Sequence, residues 1–225
     1  MTEATTNIPA IFFDLDGTLA DTAPDLAGAL NKLRGEHGLP PLPLTELRPH
    51  ISAGAKGLLL AGMNIGPENP AYLAAQQQFL ALYEKNVHNE TQLFDGIAEC
   101  LDHLDNLNIP WGIVTNKALR FAAPLIAGLG LQHRAICLVA GDSASHPKPH
   151  PAPLLMAARL ATIQPEHCIY IGDDERDILA AHAAGMKAVA ATWGYSGDAK
   201  TIATWGADII VTSPKDIFRI ALSNR

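Results

Sequence analysis

The chain has 225 residues, of which 48% are hydrophobic and 17% charged, and a formal net charge of −7. This length suits one sizeable domain, or a core domain with a smaller insertion. The acidic balance, without any cluster of Lys and Arg, excludes nucleic acid and an anionic membrane surface as main partners, and no apolar run approaches the roughly 18 residues of a spanning helix.

The opening residues Met1-Thr2-Glu3-Ala4-Thr5-Thr6-Asn7 have neither a basic nor an apolar region, so no secretory signal is expected there. A buried-strand run at residues 11–13 then leads straight into Asp14-Leu15-Asp16-Gly17. Residues 20–94 break from strand character. Asp21-Thr22-Ala23-Pro24 signals a helix start, and Leu26, Leu30 and Leu33 repeat at helical spacing until Gly38 and Pro40-Pro41. Further helices are predicted over 55–63 and 71–85, the latter with Leu73, Leu80 and Tyr83 among its apolar positions. No strand is expected in this insertion, which reads as a lid, and the chain returns to the sheet near Leu93-Phe94-Asp95-Gly96.

From Pro110 onward, strands predicted at 111–115, 136–140, 168–171, 187–192 and 208–211 alternate with helices at 119–129, 151–161, 178–184 and 214–222. That is the β-α-β rhythm of a doubly wound parallel sheet. The expected division is an α/β core of residues 1–19 and 95–225 with a helical cap of residues 20–94. Cys100, Cys137 and Cys168 are odd in number and lie among apolar neighbours, so they read as reduced core thiols of a cytoplasmic protein.

Two of these strands end in acids. Residues 11–13 run into Asp14 and Asp16, and Cys168-Ile169-Tyr170-Ile171-Gly172 runs into Asp173 and Asp174, followed by Asp177. Ligands collect beyond the carboxyl ends of strands in open parallel sheets. Like charges brought together there need a cation or a proton to compensate them. The pattern points to an oxygen-ligated divalent metal, and Mg2+ suits it because it takes few carboxylates and keeps waters that a phosphate can replace.

The run Asp14-Leu15-Asp16-Gly17-Thr18-Leu19 resembles the first motif of the haloacid dehalogenase superfamily of phosphohydrolases. Val114-Thr115-Asn116-Lys117, Lys148-Pro149-His150-Pro151 and Gly172-Asp173-Asp174-Glu175-Arg176-Asp177 resemble its second, third and fourth motifs, in that order. The cap position and the Lys-Pro-x-Pro form look like the phosphoglycolate phosphatase branch. The segment from His50 to Lys56 and the run from Trp111 to Lys117 also look close to bacterial N-acetylmuramic acid 6-phosphate phosphatases.

The resemblance implies a Mg2+-dependent hydrolase of small-molecule phosphate esters. Asp14 would be the nucleophile and Asp16 the acid and base, since a carboxylate that attacks phosphorus splits hydrolysis into two easier steps. Thr115 and Asn116 would hold the phosphoryl group and Lys148 would supply positive charge. Asp14, Asp173 and the main-chain carbonyl of Asp16 would ligate the metal, with Asp177 orienting them from the same face of the following helix. Asp174 reads equally well as a second acid or as a helix N-cap. Arg48, His50, Ser52 and Lys56 are candidates for the far end of the substrate, or simply a solvated helix start. Dehalogenation is disfavoured because relatives with that activity lack the acid at Asp16. A phosphomutase on the same fold is the alternative from another reaction class. Oligomeric state is not legible.

Overall fold

The structure, a computed structural model, describes residues 10–195 and 197–223. The N-terminal heptad read above, and the first residues of the expected core segment, lie outside that range. In chain order, β1 (Ala10–Phe13) is followed by β2 (Ala20–Asp21), α1 (Ala23–Glu36), α2 (Leu44–Leu47), a 3-10 turn (Arg48–Ala53), α3 (Gly54–Met63), α4 (Tyr72–Glu84) and β3 (Gln92–Leu93). The alternating part comprises α5 (Ile97–Asn106), β4 (Trp111–Val114), α6 (Leu119–Gly128), β5 (Leu138–Val139), α7 (Ala152–Ala161), β6 (Cys168–Gly172), α8 (Glu175–Ala183), β7 (Lys187–Ala191), α9 (Ala199–Ile202), β8 (Ile209–Val211) and α10 (Pro214–Ser223). No described helix is long and apolar enough to cross a membrane.

Six strands form one parallel sheet in the order β5-β4-β1-β6-β7-β8. β1 is buried on both faces, as a strand covered by helices on either side must be. Ile11 and Phe13 join a core layer with Ile97, Leu101 and Leu104 of α5, Leu125 of α6 and Ile217 of α10. Ala10 and Phe12 face the opposite layer, with Leu154 and Ala157 of α7 and Ile178 and Ala181 of α8. The chain leaves β1 towards β4 on one side and meets β6 on the other, so the switch in strand order falls at β1. Register fixes what collects there. Phe13 pairs with Ile113 and with Ile171, which brings Asp14, Thr115 and Asp173 to adjacent strand ends.

The helical stretch carries its own apolar cluster: Leu26, Leu30 and Leu33 of α1, Ile51, Leu58 and Leu59, and Phe79 and Tyr83 of α4, joined by Phe121 and Tyr195 from outside it. Leu73, expected on an apolar face, is 69% exposed, because the buried stripe of α4 runs through Ala75, Phe79 and Tyr83 at i, i+4 and i+8. The expectation that residues 20–94 hold no strand is corrected. β2 and β3 pair antiparallel, Ala20 with Leu93 and Asp21 with Gln92. Two residues per strand are too few to leave an alternating pattern in sequence. Asp25 reinforces the join from inside α1, where its buried carboxylate accepts N–H bonds from Asn89 at 3.1 Å and Thr91 at 2.9 Å.

Candidate active site

β1 delivers Asp14 to the end of the sheet, where its N–H is still tied to Ile171 O at 2.9 Å. Its carboxylate Oδ1 lies 2.9 Å from the ammonium of Lys148, whose side chain is 2% exposed. That ammonium also sits 2.7 Å from Asp177 Oδ1 and donates to Tyr170 Oη at 2.7 Å and to Val114 O at 3.2 Å. Burial works against a charge on Lys148, but Asp14 and Asp177 outweigh it and hold the ammonium above its ordinary range. The backbone of Lys148 is fixed by Asn116, whose amide accepts from Lys148 N and donates to Lys148 O, both at 2.9 Å. Asn116, expected to touch substrate, thus has both ends of its amide engaged in placing the lysine.

Asp173 enters from the end of β6. It accepts from Thr18 Oγ1 at 2.9 Å and from Tyr195 N at 2.8 Å. Two glycines give it room: a Cβ at Gly17, where φ is +85°, or at Gly194 would stand 2.3 or 2.2 Å from Asp173 Oδ2. Asp174 is the N-cap of α8, and with Asp177 it forms a capping box. The helix begins at Glu175, so Asp173 and Asp177 do not share a helical face as expected. Asp177 instead turns back, accepting from Asp174 N at 3.1 Å while pairing with Lys148.

Asp14, Asp173 and Asp177 each place a carboxylate oxygen within 4.8 Å of the others. Lys148 is the cation that pairs with two of them. Burial, opposed by Lys148 but aided by Asp177 and Asp16, pushes the Asp14 carboxyl up to about 7. Burial also raises Asp173 well above the carboxylate range, with Asp14 and Asp177 adding to it. Asp14 Oδ1, despite its charge contact with Lys148, has no hydrogen-bond partner among the described residues. A cluster of hard oxygen donors with surplus negative charge fits a small divalent cation such as magnesium. Asp177, expected only to orient the ligands, joins Asp14 and Asp173 in the cluster, while the Asp16 carboxylate, which was not among the expected ligand atoms, stands outside it. That carboxylate accepts from Thr22 Oγ1 at 2.5 Å and pairs with Lys117 Nζ at 2.9 Å.

A cavity of about 370 Å³ is lined by Asp14, Asp16, Thr115, Asn116, Lys117, Lys148, Asp174, Arg176 and Asp177. Leu26, Ile51, Phe79, Leu80, Tyr83 and Phe121 form an apolar wall, and Gln76 and Arg120 also line it. Of the four residues proposed to reach substrate from the helical side, Ser52 lines the cavity, and its carbonyl accepts from Arg176 Nη2 at 2.6 Å. Arg48 is paired with Asp21 and stacks on Tyr195, while His50 and Lys56 are exposed and stand away from the lining. Lys117 and Tyr83 are among the site residues that sequence reasoning left out. The signal for Lys117 was its place two residues after Thr115. The thiols take no part: burial pushes Cys100 and Cys168 up to about 12 and Cys137 to about 11, so they stay protonated.

Residues 11–191 match the family model described as haloacid dehalogenase-like hydrolase. A phosphoglycolate phosphatase of Xanthomonas campestris pv. campestris is 43% identical over 94% of this chain and 96% of its own length. An N-acetylmuramic acid 6-phosphate phosphatase of Pseudomonas aeruginosa is 37% identical over 95% of this chain and 94% of its own. The crystal structure of a predicted phosphoglycolate phosphatase from Haemophilus somnus superposes with a TM-score of 0.83 at 29% identity, covering 96% of this chain and 99% of that one.

Proposed function

Since this chain belongs to the haloacid dehalogenase-like hydrolase family, we propose that it hydrolyses small phosphate monoesters with Mg2+, through an aspartyl-phosphate on Asp14. The observation that carries this reading is the meeting of Asp14 with the buried Lys148 at 2.9 Å, beside Asp173 and Asp177 at the switch point of the sheet.

The Asp14 carboxylate attacks phosphorus and the bond to the ester oxygen breaks. Lys148 holds Asp14 in place and offsets charge on the transferring group. Asp16, with Thr22 and Lys117 fixing its carboxylate, gives its proton to the leaving alkoxide, then takes one from the water that attacks the aspartyl-phosphate and frees phosphate. Thr115, buried at the end of β4, presents its hydroxyl and the N–H groups after it to phosphoryl oxygens. Asp14, Asp173 and the carbonyl of Asp16 would hold Mg2+, with Asp177 beside them; the ion would neutralise phosphoryl charge. The helical stretch of residues 20–94 acts as the cap that covers this chemistry, in a cytoplasmic enzyme.

Phosphoglycolate is the first substrate proposed, in line with the similarity to phosphatases of that name. A second reading, N-acetylmuramic acid 6-phosphate, is favoured by the cavity. Its volume falls in the range that takes drug-sized ligands, and its apolar wall exceeds what a two-carbon acid would cover. Phosphate release over a panel of phosphoglycolate, N-acetylmuramic acid 6-phosphate and hexose phosphates tests the proposal, and the higher kcat/KM decides between the two. Isomerisation of a sugar phosphate without phosphate release would instead point to a mutase. No turnover of any ester with Mg2+ present would overturn the reading.

A further inference from the structure

Two buried side-chain polar atoms among the described residues have no hydrogen-bond partner, and both belong to residues lining the same cavity. One is Asp14 Oδ1, at the phosphoryl end. The other is Tyr83 Oη, contributed by α4 of the helical stretch from a residue that is 1% exposed. Leaving a buried hydroxyl unpaired costs free energy, and Phe in its place would fill nearly the same volume without that cost. The ring itself is well housed, 5.4 Å from Phe121. Packing therefore explains the ring and leaves the hydroxyl unexplained.

The location of Tyr83 says what the hydroxyl meets. Lys117 Nζ lies 2.9 Å from Asp16 Oδ1 and 4.9 Å from the centre of the Tyr83 ring. The phenol is thus one ammonium away from the carboxylate assigned to the leaving oxygen. Lys117 bears on the phenol by its charge and as a nearby donor, yet no group among the described residues meets Tyr83 Oη in hydrogen-bond geometry. Burial raises the phenol above its ordinary range, so at neutral pH it is a donor.

We infer that Tyr83 is a substrate-contacting residue: its hydroxyl donates to an oxygen on the alcohol part of the ester, close to the ester oxygen. The substrate class is a phosphomonoester whose alcohol carries an acceptor, such as a carboxylate, carbonyl or hydroxyl oxygen, near the phosphorylated carbon. This rests on the proposed phosphatase function and adds what selects the ester. It also assigns the selecting contact to α4 rather than to residues 48–56.

The test compares the full chain with Tyr83→Phe on phosphoglycolate and N-acetylmuramic acid 6-phosphate, which carry such acceptors, and on phenyl phosphate, which carries none. The ratio of kcat/KM for the better acceptor-bearing ester to that for phenyl phosphate should fall roughly 10- to 100-fold, the effect of one lost hydrogen bond in a closed site. The melting temperature without ligand should stay the same or rise by a few degrees, since an unpaired hydroxyl has been removed. An unchanged ratio, or a lower melting temperature with both esters slowed equally, assigns Tyr83 a purely structural role and overturns the inference. If the parent hydrolyses no ester, the phosphatase reading fails by itself. Thermal protection by phosphoglycolate and N-acetylmuramic acid 6-phosphate at equilibrium then decides: protection exceeding that by phenyl phosphate and lost in Tyr83→Phe upholds the contact, and any other pattern overturns it.

Discussion

Asp14→Asn should abolish turnover and, in chelator, make the protein more stable. Burial raises the carboxyl from an ordinary 3.8 to about 7. Between those values the folded chain keeps a proton that the unfolded chain has released, so metal-free stability falls as pH rises through this window and is flat above it. At about 1.4 kcal/mol per pKa unit, the buried carboxyl costs about 4 kcal/mol at pH 8, where it is ionised, and about 2 kcal/mol at pH 5, where the folded chain holds it neutral and the unfolded chain does not. Asparagine has nearly the same shape and no charge at either pH, so the variant avoids the cost. For a chain of this size, 2–4 °C per kcal/mol gives a melting temperature roughly 8–16 °C above the parent at pH 8, and about half that at pH 5. Saturating Mg2+ should reverse the order, because only the parent offers the cation its full set of carboxylates. Thermal unfolding of both proteins, with and without Mg2+, reads all of this. A variant that melts at or below the parent in chelator at pH 8 refutes the reasoning, as does a gap that fails to widen from pH 5 to pH 8.

Asp16→Asn should slow phosphoglycolate hydrolysis about 10²–10⁴-fold, and with p-nitrophenyl phosphate, whose leaving group needs little acid help, rapid quench should trap phosphorylated enzyme; equal losses on both esters with nothing trapped would remove the acid–base role. Activity should vanish in chelator, return with Mg2+ and return poorly with Ca2+, which prefers more ligands in looser geometry; full turnover with Ca2+ in steady-state assays would contradict the metal assignment. Lys56→Ala should change kcat/KM for phosphoglycolate by less than about threefold, as expected of an exposed side chain away from the cavity; a tens-fold loss would bring residues 48–56 back as the substrate reader.

The strand ends were legible because their residues conflict with local physics: acids and a glycine directly after Ile11-Phe12-Phe13 make no sense for a core alone. The alternation from residue 110 onward gave the sheet for the same reason. α5 was also legible, with Ile97, Cys100, Leu101 and Leu104 at i, i+3, i+4 and i+7, but the pattern went unread. Other features had no local signal. Tyr83 reads as one more apolar position on a helix until its hydroxyl is found without a partner beside Lys117. Tyr195 lies 173 residues from Thr22, yet its hydroxyl accepts the N–H of Thr22 at 2.7 Å and donates to Asp21 at 2.8 Å, capping the start of α1 where the side chain of Thr22 itself does not. Of the 48–56 cluster, Ser52 lines the cavity while His50 and Lys56 stand away from it, a split the sequence does not show because polar residues around a glycine look alike whether they face a ligand or water.

The β2–β3 ribbon has a consequence for how such chains can change. Asp21 and Gln92 are opposite partners, and antiparallel partners stand about 5 Å apart. The sheet therefore sees everything between them as a loop whose ends already touch. A tight turn spliced from residue 21 to residue 92 would close the remaining chain without moving β1 or β4, and so would a foreign helical block. The segment proposed to meet the variable part of the substrate is thus the one that recombination can exchange with two cuts, leaving Asp14 and Lys148 where they are.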